Sequence, residues 1–375
     1  MLLHDHLDGG LRPATLIELA QASGHDGLPR VGPEELGKWF VAKATGRGLA
    51  GYLTGFVHTV AVMQTEEALA RIAFECVEDL AADGVVYAEV RFAPELHTKG
   101  GLSMASATEA VLGGLRSAAS KALVSDRTIT VRLLLSAMRH KGRSLEVAKT
   151  AVRYGDSGVV GFDLAGPEEG HPASAHLAAF RLARQAGLHT TAHAGEASGP
   201  DSVREAVQVC GAERVGHGVS VVSDIDPAVT VGSLDVSVDT GQGGQGGQGG
   251  QACLAEDALG PTARYLRDRQ IPLEVCPTSN LQTGVANSLA EHPLGLLYRL
   301  GFRVTLNTDN RLMSGVSLSA EMAACAQVFH WGWPDLKRLS LNAVEGAFCG
   351  EAERKALGAE LARYYGTLEA GEGCG

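Results

Sequence analysis

Residues 3–9 of the chain read Leu3-His4-Asp5-His6-Leu7-Asp8-Gly9. The two histidines are two positions apart, so on a β-strand both imidazoles point to the same face. One strand end can therefore offer two nitrogen ligands to a single metal ion. Three later segments have the same character, because each places a His or an Asp at the end of an apolar, strand-like run. They are HAGE at 193–196, RVGHG at 214–218 and NTDN at 307–310.

Short β-branched runs alternate with helical patterns along the whole chain, which is typical of an α/β fold with parallel strands. The clearest helical patterns cover residues 65–83 and 174–186, and each is followed by a glycine that can end a helix. We predict eight strands, over residues 2–6, 85–92, 128–136, 159–164, 188–193, 214–217, 272–276 and 303–308.

The placement of polar residues distinguishes a closed barrel from an open doubly wound sheet, which has the same local pattern. The polar residues that are candidates for a functional site lie at the carboxyl ends of at least five predicted strands. A barrel brings all its strand ends to one mouth, whereas an open sheet brings together only a few. No glycine-rich phosphate-binding motif follows the first strand. We therefore predict an α/β fold in the form of a (β/α)8 TIM barrel, as a single domain over residues 1–375.

Two stretches fall outside this regular alternation. Residues 30–62 form a long connection, which we expect to contain short helices that cover the mouth of the barrel. Residues 241–251 read GQGGQGGQGGQ, a low-complexity tract that we predict to be a flexible loop. The tract can be a simple insertion or a lid over the site, and the sequence leaves both interpretations open.

The bulk composition excludes several classes of partner. There are 32 basic and 43 acidic residues, and the net charge of -11 opposes binding to nucleic acid or to an anionic membrane. The seven cysteines are dispersed, which indicates reduced thiols and a cytoplasmic location. No apolar run is long enough to span a bilayer, and no signal peptide fits before the first histidine. The oligomeric state is left open.

Four of the strand-end residues form a plausible metal-ligand set. His4, His6, His193 and Asp309 supply three imidazoles and one carboxylate, which suits Zn²⁺ with one open coordination position. Binuclear hydrolases carry a carbamylated lysine at the end of the fourth strand, and no lysine stands there in this chain. We therefore predict one zinc ion per chain.

Three further residues are candidates for the chemistry near the metal. Glu196 can transfer protons if its surroundings keep its pKa near neutral, or it can simply orient His193. His217 stands between two glycines and can be a further ligand, although a proton-transfer or electrostatic role is favoured. Gly166 ends the fourth strand and leaves its backbone accessible to a ligand.

Six motifs of the chain resemble those of the adenosine deaminase family, and they occur in the family's order. They are H-x-H-L-D-G at 4–9, D-L-A-G at 163–166, H-A-G-E at 193–196, G-H-G at 216–218, E-V-C-P at 274–277 and N-T-D at 307–309. The similarity extends from end to end, and residues 308–314 are typical of the actinobacterial branch. The resemblance implies hydrolytic deamination of adenosine and 2′-deoxyadenosine at C6, in purine salvage.

The resemblance also implies a role for each residue of the site. The zinc ligands would be His4, His6, His193 and Asp309. Glu196 would hydrogen-bond and protonate purine N1, while His217, together with Asp309, would assist the attacking water. Asp8, with His6 beside it, would hold the ribose 5′-hydroxyl, and the Gly166 N–H would meet N3. Asn310 replaces an aspartate that is usual in the family, and we expect its amide to donate to N7.

Two alternative functions stay open at this point. The first is a sister deaminase that acts on adenine, aminodeoxyfutalosine or another 6-aminopurine. Asp8 argues for a ribosyl substrate, because free adenine has no 5′-hydroxyl. The second is a non-catalytic protein that binds zinc or a nucleoside, which the complete set of ligands and proton-transfer residues disfavours.

Overall fold

Eight parallel β-strands form the centre of this computed structural model, which describes residues 1–124, 128–229 and 258–372. Each strand pairs with the next one along the chain. The strands are β1 (Leu2–His6), β2 (Tyr87–Phe92), β3 (Thr130–Met138), β4 (Val159–Ala165), β5 (His189–Ala194), β6 (Arg214–His217), β7 (Leu273–Val275) and β8 (Val304–Leu306). All eight predicted strands are present, with bounds that differ by at most two residues at either end.

The sheet closes into a barrel between its first and last strands. Asp5 and Asp309 form a parallel bridge across this seam. The His6 N–H donates to the Asp309 carbonyl (2.7 Å), and the Asp309 N–H donates to the His4 carbonyl (3.0 Å). The prediction of a barrel is confirmed, and its seam joins the strand ends that carry three of the four candidate ligands, His4, His6 and Asp309.

Short helices occupy the connection after β1, as predicted for residues 30–62. The helices between β1 and the first covering helix are α1 (Pro13–Ser23), α2 (Pro33–Ala44), α3 (Gly48–Tyr52) and α4 (Phe56–Val62). Side chains of α3 and α4 line the cavity at the carboxyl ends of the strands. This connection therefore covers the mouth of the barrel.

The outer helices pack one apolar face on the barrel, and α5 (Glu66–Ala82) illustrates why. The Thr65 hydroxyl accepts a hydrogen bond from the Ala68 N–H (3.2 Å) and caps the first turn. Leu69, Ile72 and Val77 are buried on one face of the helix. The later helices are α6 (Met104–Val124), α7 (Ser144–Arg153), α8 (Leu177–Gln185), α9 (Pro200–Arg204), α10 (Pro261–Asp268), α11 (Pro277–Thr283), α12 (Leu294–Arg299), α13 (Arg311–Ser314), α14 (Leu318–Phe329), α15 (Trp333–Gly346) and α16 (Glu351–Glu372).

No helix within the three described ranges has both the length and the apolar character needed to cross a membrane. The predicted loop at 241–251 lies outside the described residues.

A network of fully buried charges fills the barrel below the mouth. Arg214 contacts Glu89 (2.6 Å) and Glu274 (2.6 Å), and Arg91 contacts Glu274 (2.8 Å) and Asp163 (3.5 Å). These side chains are at most 1% exposed. Charges without water need opposite charges as partners, so the network fixes the relative positions of the strands that carry it.

We expect Arg214→Met to lower the free energy of unfolding by about 3–5 kcal/mol, because it leaves Glu89 buried without its cationic partner and removes one of the two cations that pair with Glu274. The measurement is urea unfolding of parent and variant. Arg132→Met is the matched control, since Arg132 pairs with Glu353 on the surface (3.0 Å) and such pairs contribute about 0–1 kcal/mol. Equal losses in the two variants would contradict this account.

Candidate active site

A cavity of about 460 Å³ lies at the carboxyl ends of the strands. Eight of the nine residues predicted for the site line this cavity: His6, Asp8, Gly166, His193, Glu196, His217, Asp309 and Asn310. The ninth, His4, is fully buried and lies against His6 and His193. The structure therefore brings all the predicted positions to one place, although they come from five strands and the segments that follow them.

Four ligand atoms form a compact cluster at the barrel seam. The Nε2 atom of His6 lies 3.2 Å from Nε2 of His4, 3.1 Å from Nε2 of His193 and 3.4 Å from Oδ1 of Asp309. His4 Nε2 lies 3.4 Å from the same oxygen. Ligands at the usual Zn–N distance in a tetrahedron lie about 3.3 Å from one another. These four side chains can therefore hold a single metal ion.

His217 also approaches this cluster and is a second candidate for a place in the ligand set. With His4, His193 and Asp309 it offers ligand atoms that all lie within 4.8 Å of one another. The atoms of His6 lie closer, at 3.1–3.4 Å from the other three. The geometry favours His6 as the fourth ligand and leaves His217 on the cavity side of the cluster.

Buried carboxylates orient two of the imidazoles. Glu274 Oε2 lies 2.8 Å from His4 Nδ1, and Asp163 Oδ1 lies 3.1 Å from His193 Nδ1. Each carboxylate can accept a proton held on Nδ1, and each thereby leaves Nε2 unprotonated and directed at the cluster. These two partners are the acidic residues of the D-L-A-G and E-V-C-P motifs, whose function the sequence did not reveal.

The pKa values of His4, His6 and Asp309 favour the protonation states that a metal requires, whereas that of His193 is raised, because the charge and hydrogen bond of Asp163 outweigh the effect of burial. Burial lowers the pKa of His6 to about 3, so its imidazole is neutral. Burial alone would raise the pKa of Asp309, but its hydrogen bond with His4 and the nearby His6 hold it well below the usual value. Metal ions bind neutral imidazole and ionised carboxylate, and both are present here.

The backbone at two strand ends is held in an unusual conformation. His217 and Asp309 have φ angles of 62° and 57°, in the left-handed region that non-glycine residues rarely occupy. Gly216, before His217, has no room for a side chain, since a Cβ atom there would lie 3.1 Å from Cα of His193 and 3.2 Å from Cε1 of His4. Such strain persists only where the surrounding contacts enforce it, and it is concentrated at functional sites.

Glu196 faces the cluster from the loop after β5, with a side chain that is 6% exposed. Its carboxylate accepts hydrogen bonds from the Thr283 hydroxyl (3.0 Å) and from Nδ2 of Asn280 (3.5 Å). Burial, followed by the negative charge of Asp309, raises the pKa of Glu196 to about 7. Glu196 can therefore carry a proton near neutral pH, which a residue that only orients a neighbour does not need.

Helix α11 contributes three side chains that the sequence analysis missed. Ser279 donates to Asp309 Oδ2 (2.5 Å), Asn280 contacts His217 Nδ1 (3.1 Å), and Thr283 donates to Glu196. Ser279 and Thr283 are four residues apart, so they share one face of the helix. A polar i, i+4 pair directly after the seventh strand was the available signal.

Asp8 and Asn310 each have a buried polar atom without a hydrogen-bond partner among the described residues, and Gly166 has no side chain to fill the cavity. Asp8 accepts a hydrogen bond from the Ala93 N–H (3.2 Å) through Oδ2, while Oδ1 is buried without a hydrogen-bond partner among the described residues. Asn310 Oδ1 is likewise buried and unpartnered in the described part of the chain. Gly166 has φ +95°, and a Cβ atom there would lie 3.0 Å from Cε of Met138. The absence of a side chain keeps this part of the cavity open.

A sequence model of the adenosine deaminase family matches residues 1–364. The chain belongs to the adenosine deaminase family. The adenosine deaminase of Mycolicibacterium gilvum is 50% identical over 356 residues, which cover 95% of this chain and 92% of the relative. The predictions of the family, the barrel fold and the deaminase class are confirmed.

Solved structures of deaminases have the same fold. Adenine deaminase from Arthrobacter aurescens is similar at a TM-score of 0.78, with 25% identity over 97% of this chain and 98% of that chain. An amidohydrolase from Burkhoderia ambifaria with bound Zn is similar at a TM-score of 0.77, with 27% identity over 100% of this chain and 92% of that chain. The His/Asp cluster of this chain could likewise hold a metal ion.

We expect Asp163→Asn to weaken the retention of the bound divalent metal about 10–100-fold, because the carboxylate orients His193. The measurement is competition with a chelator, followed by metal analysis of the protein. Asp156→Asn is the matched control, since Asp156 is exposed just before β4. Parental metal affinity in a folded Asp163→Asn variant would show that this carboxylate does not support the site.

Proposed function

We propose that this protein is a zinc-dependent adenosine deaminase, which hydrolyses adenosine and 2′-deoxyadenosine to inosine and 2′-deoxyinosine with release of ammonia. The activity follows from the family and from relatives about 50% identical. The observation that carries the mechanism is the position of Glu196 beside His217 (3.5 Å), next to the four-atom ligand cluster in one cavity.

The proposed metal is one zinc ion, held by His4, His6, His193 and Asp309. Three imidazoles and one carboxylate are ligands that zinc accepts, and their spacing agrees with tetrahedral coordination. When bound, zinc supplies Lewis-acid chemistry that makes water a nucleophile near neutral pH.

Glu196 is the proposed proton donor to purine N1. Protonation of N1 withdraws electrons from C6, where water adds and from which ammonia leaves. The protonated fraction of Glu196 falls as the pH rises through its raised pKa of about 7. A cation held beside Asp309 would offset part of this shift, because the charge of Asp309 contributes to it.

His217 is proposed to act as a neutral hydrogen-bond donor in the cavity. Burial lowers its pKa to about 4, so the imidazole carries one proton at neutral pH. The Nδ2 group of Asn280 donates to His217 Nδ1, while Oδ1 of the same amide faces His292 Nε2 (3.3 Å). The proton therefore lies on Nε2, from which His217 can stabilise the oxygen that adds to C6.

The proposed substrate contacts favour a nucleoside over a free base. Asp8 Oδ1 is buried and has no hydrogen-bond partner within the described ranges, so a ribose 5′-hydroxyl can donate to it, with His6 alongside (3.9 Å). The Gly166 N–H is proposed to meet N3, and Asn310 is proposed to read N7. Free adenine would leave Asp8 Oδ1 without a partner, and that unpaired oxygen would lower kcat/KM for adenine relative to a nucleoside.

The remaining parts of the proposal concern the chain as a whole. We include a single domain over residues 1–375, a cytoplasmic location and a role in purine salvage. Five cysteines in the described residues are buried and free, which supports reduced thiols.

Steady-state rates on adenosine, 2′-deoxyadenosine, adenine and aminodeoxyfutalosine test this function. We expect kcat/KM to be highest for the first two, because both carry a 5′-hydroxyl for Asp8. Metal analysis should find one zinc per chain. A preference for adenine or aminodeoxyfutalosine would assign the protein to a sister activity, and binding without turnover of any substrate would make it a binding protein.

Glu196→Gln should lower kcat by about 10²–10⁴-fold while KM changes much less, because the amide can hydrogen-bond N1 but cannot deliver a proton. The measurement is steady-state kinetics with adenosine. Asp201→Asn, which changes an exposed carboxylate in α9, is the control and should match the parent. A near-parental kcat in Glu196→Gln would assign the proton transfer to a different group.

Asn310 should donate a hydrogen bond to purine N7, which is an acceptor in the neutral ring. We expect the parent to discriminate strongly against 7-deazaadenosine relative to adenosine, and Asn310→Ala to lose most of that preference. The readout is the ratio of kcat/KM values for the two substrates in each protein. Equal discrimination by both proteins would mean that N7 is recognised elsewhere.

A further inference from the structure

Glu168 is a buried carboxylate, 5% exposed, that the mechanism above does not use. It lies two residues after Gly166, beyond the end of β4, and five donors converge on it. Oε2 accepts from the backbone N–H groups of Glu196 (3.1 Å), Ala197 (2.8 Å) and Ser198 (3.0 Å). Oε1 accepts from the Gly195 N–H (2.6 Å) and the Ser202 hydroxyl (2.5 Å).

The donors form a continuous stretch of backbone around Glu196. Four successive N–H groups point to one centre, which is the arrangement that proteins use to bind anions. Gly195 makes this turn possible, since its φ is +74° and a Cβ atom there would lie 2.5 Å from Val203 and 2.6 Å from Ser220. The loop at 195–198 thus closes around a carboxylate supplied by its own chain.

Arg139 holds the other end of the same segment. Its guanidinium donates to the backbone carbonyl of His193, and to the carbonyl of His171 (3.2 Å). Glu168 and Arg139 also attract each other electrostatically. The anion therefore holds the amides of the loop while the cation holds a carbonyl at the end of β5.

We propose that Glu168 is a positioning residue, which places the Glu196 carboxyl group for proton transfer by fixing the backbone of residues 195–198. This inference rests on the proposed role of Glu196. A charged acceptor makes stronger hydrogen bonds than a neutral one. Without it, four amides would need other partners, and the loop would be free to displace Glu196 from Thr283 and Asn280.

Glu168→Gln tests the proposal, because an amide keeps the size of the side chain but loses the charge and one accepting oxygen. Displacement of a catalytic group by about 1 Å can cost about 10²-fold in rate. We expect kcat for adenosine to fall about 10–100-fold, with KM within about threefold of the parent. Glu169→Gln is the matched control, since the neighbouring Glu169 is exposed and should leave both constants unchanged.

A second comparison separates positioning of Glu196 from a general structural role. In a Glu196→Gln background there is no proton to deliver, so adding Glu168→Gln should lower kcat by less than about threefold. Metal content and Tm, measured on every variant, should show that the holoenzyme remains intact. Losses that multiply fully in the double variant would overturn the proposal.

Ser202→Ala keeps the proposal testable if Glu168→Gln does not fold. It removes one of the five donors and leaves the four amides in place, so we expect a fall in kcat of about 2–10-fold that disappears in the Glu196→Gln background. If Ser202→Ala still lowers kcat in the Glu196→Gln background, the proposed role of Glu168 is wrong, while the proposed role of Glu196 is unaffected. A near-parental kcat in Glu196→Gln itself would overturn both this inference and the proposed role of Glu196.

Discussion

The structure depends on the pairing of charges inside the barrel, and Glu274 is its central residue. This one carboxylate accepts hydrogen bonds from Arg91, Arg214 and Thr191, and it contacts His4, so it joins β1, β2, β5, β6 and β7. Each buried ion loses several kcal/mol of hydration, which only close and complete pairing offsets. The strands must therefore adopt the register that satisfies Glu274, and that same register directs His4 toward the cluster of four candidate ligand atoms.

The buried polar groups connect the interior of the barrel with the candidate site. Asp163 contacts both Arg91 and His193, so the interior charges and the ligand imidazoles form one connected network. The seam between β1 and β8 adds the Asp309 carboxylate through backbone hydrogen bonds to β1. Ligand side chains that are already held by buried partners would lose less conformational entropy when a metal ion binds.

The sequence predicted the strands and the convergence of the candidate residues on one cavity, because strand-end residues such as His193 and Asp309 follow apolar runs that are easy to recognise. The interior network was not predictable from the same pattern. Glu89 and Arg91 alternate with apolar residues in β2, which normally indicates a solvent-facing side, and only closure of the sheet turns that side inward. Thr283 and Glu168 were missed for another reason. They contact the Glu196 segment from 87 and 28 residues away in the sequence, and both are common residue types that carry no signal of their own.

The helices over the mouth line the same cavity as Glu196 and shape its surroundings. Leu49 and Ala50 in α3, and Phe56 and Val60 in α4, give the cavity an apolar wall opposite the strand ends. Burial is the largest cause of the raised pKa of Glu196, so a carboxyl group can keep its proton at a pH where an exposed one is ionised. The same exclusion of water strengthens each hydrogen bond to the substrate, because competing solvent is absent. The long connection after β1 would therefore support the proton transfer that we propose for Glu196, although none of its side chains needs to exchange a proton.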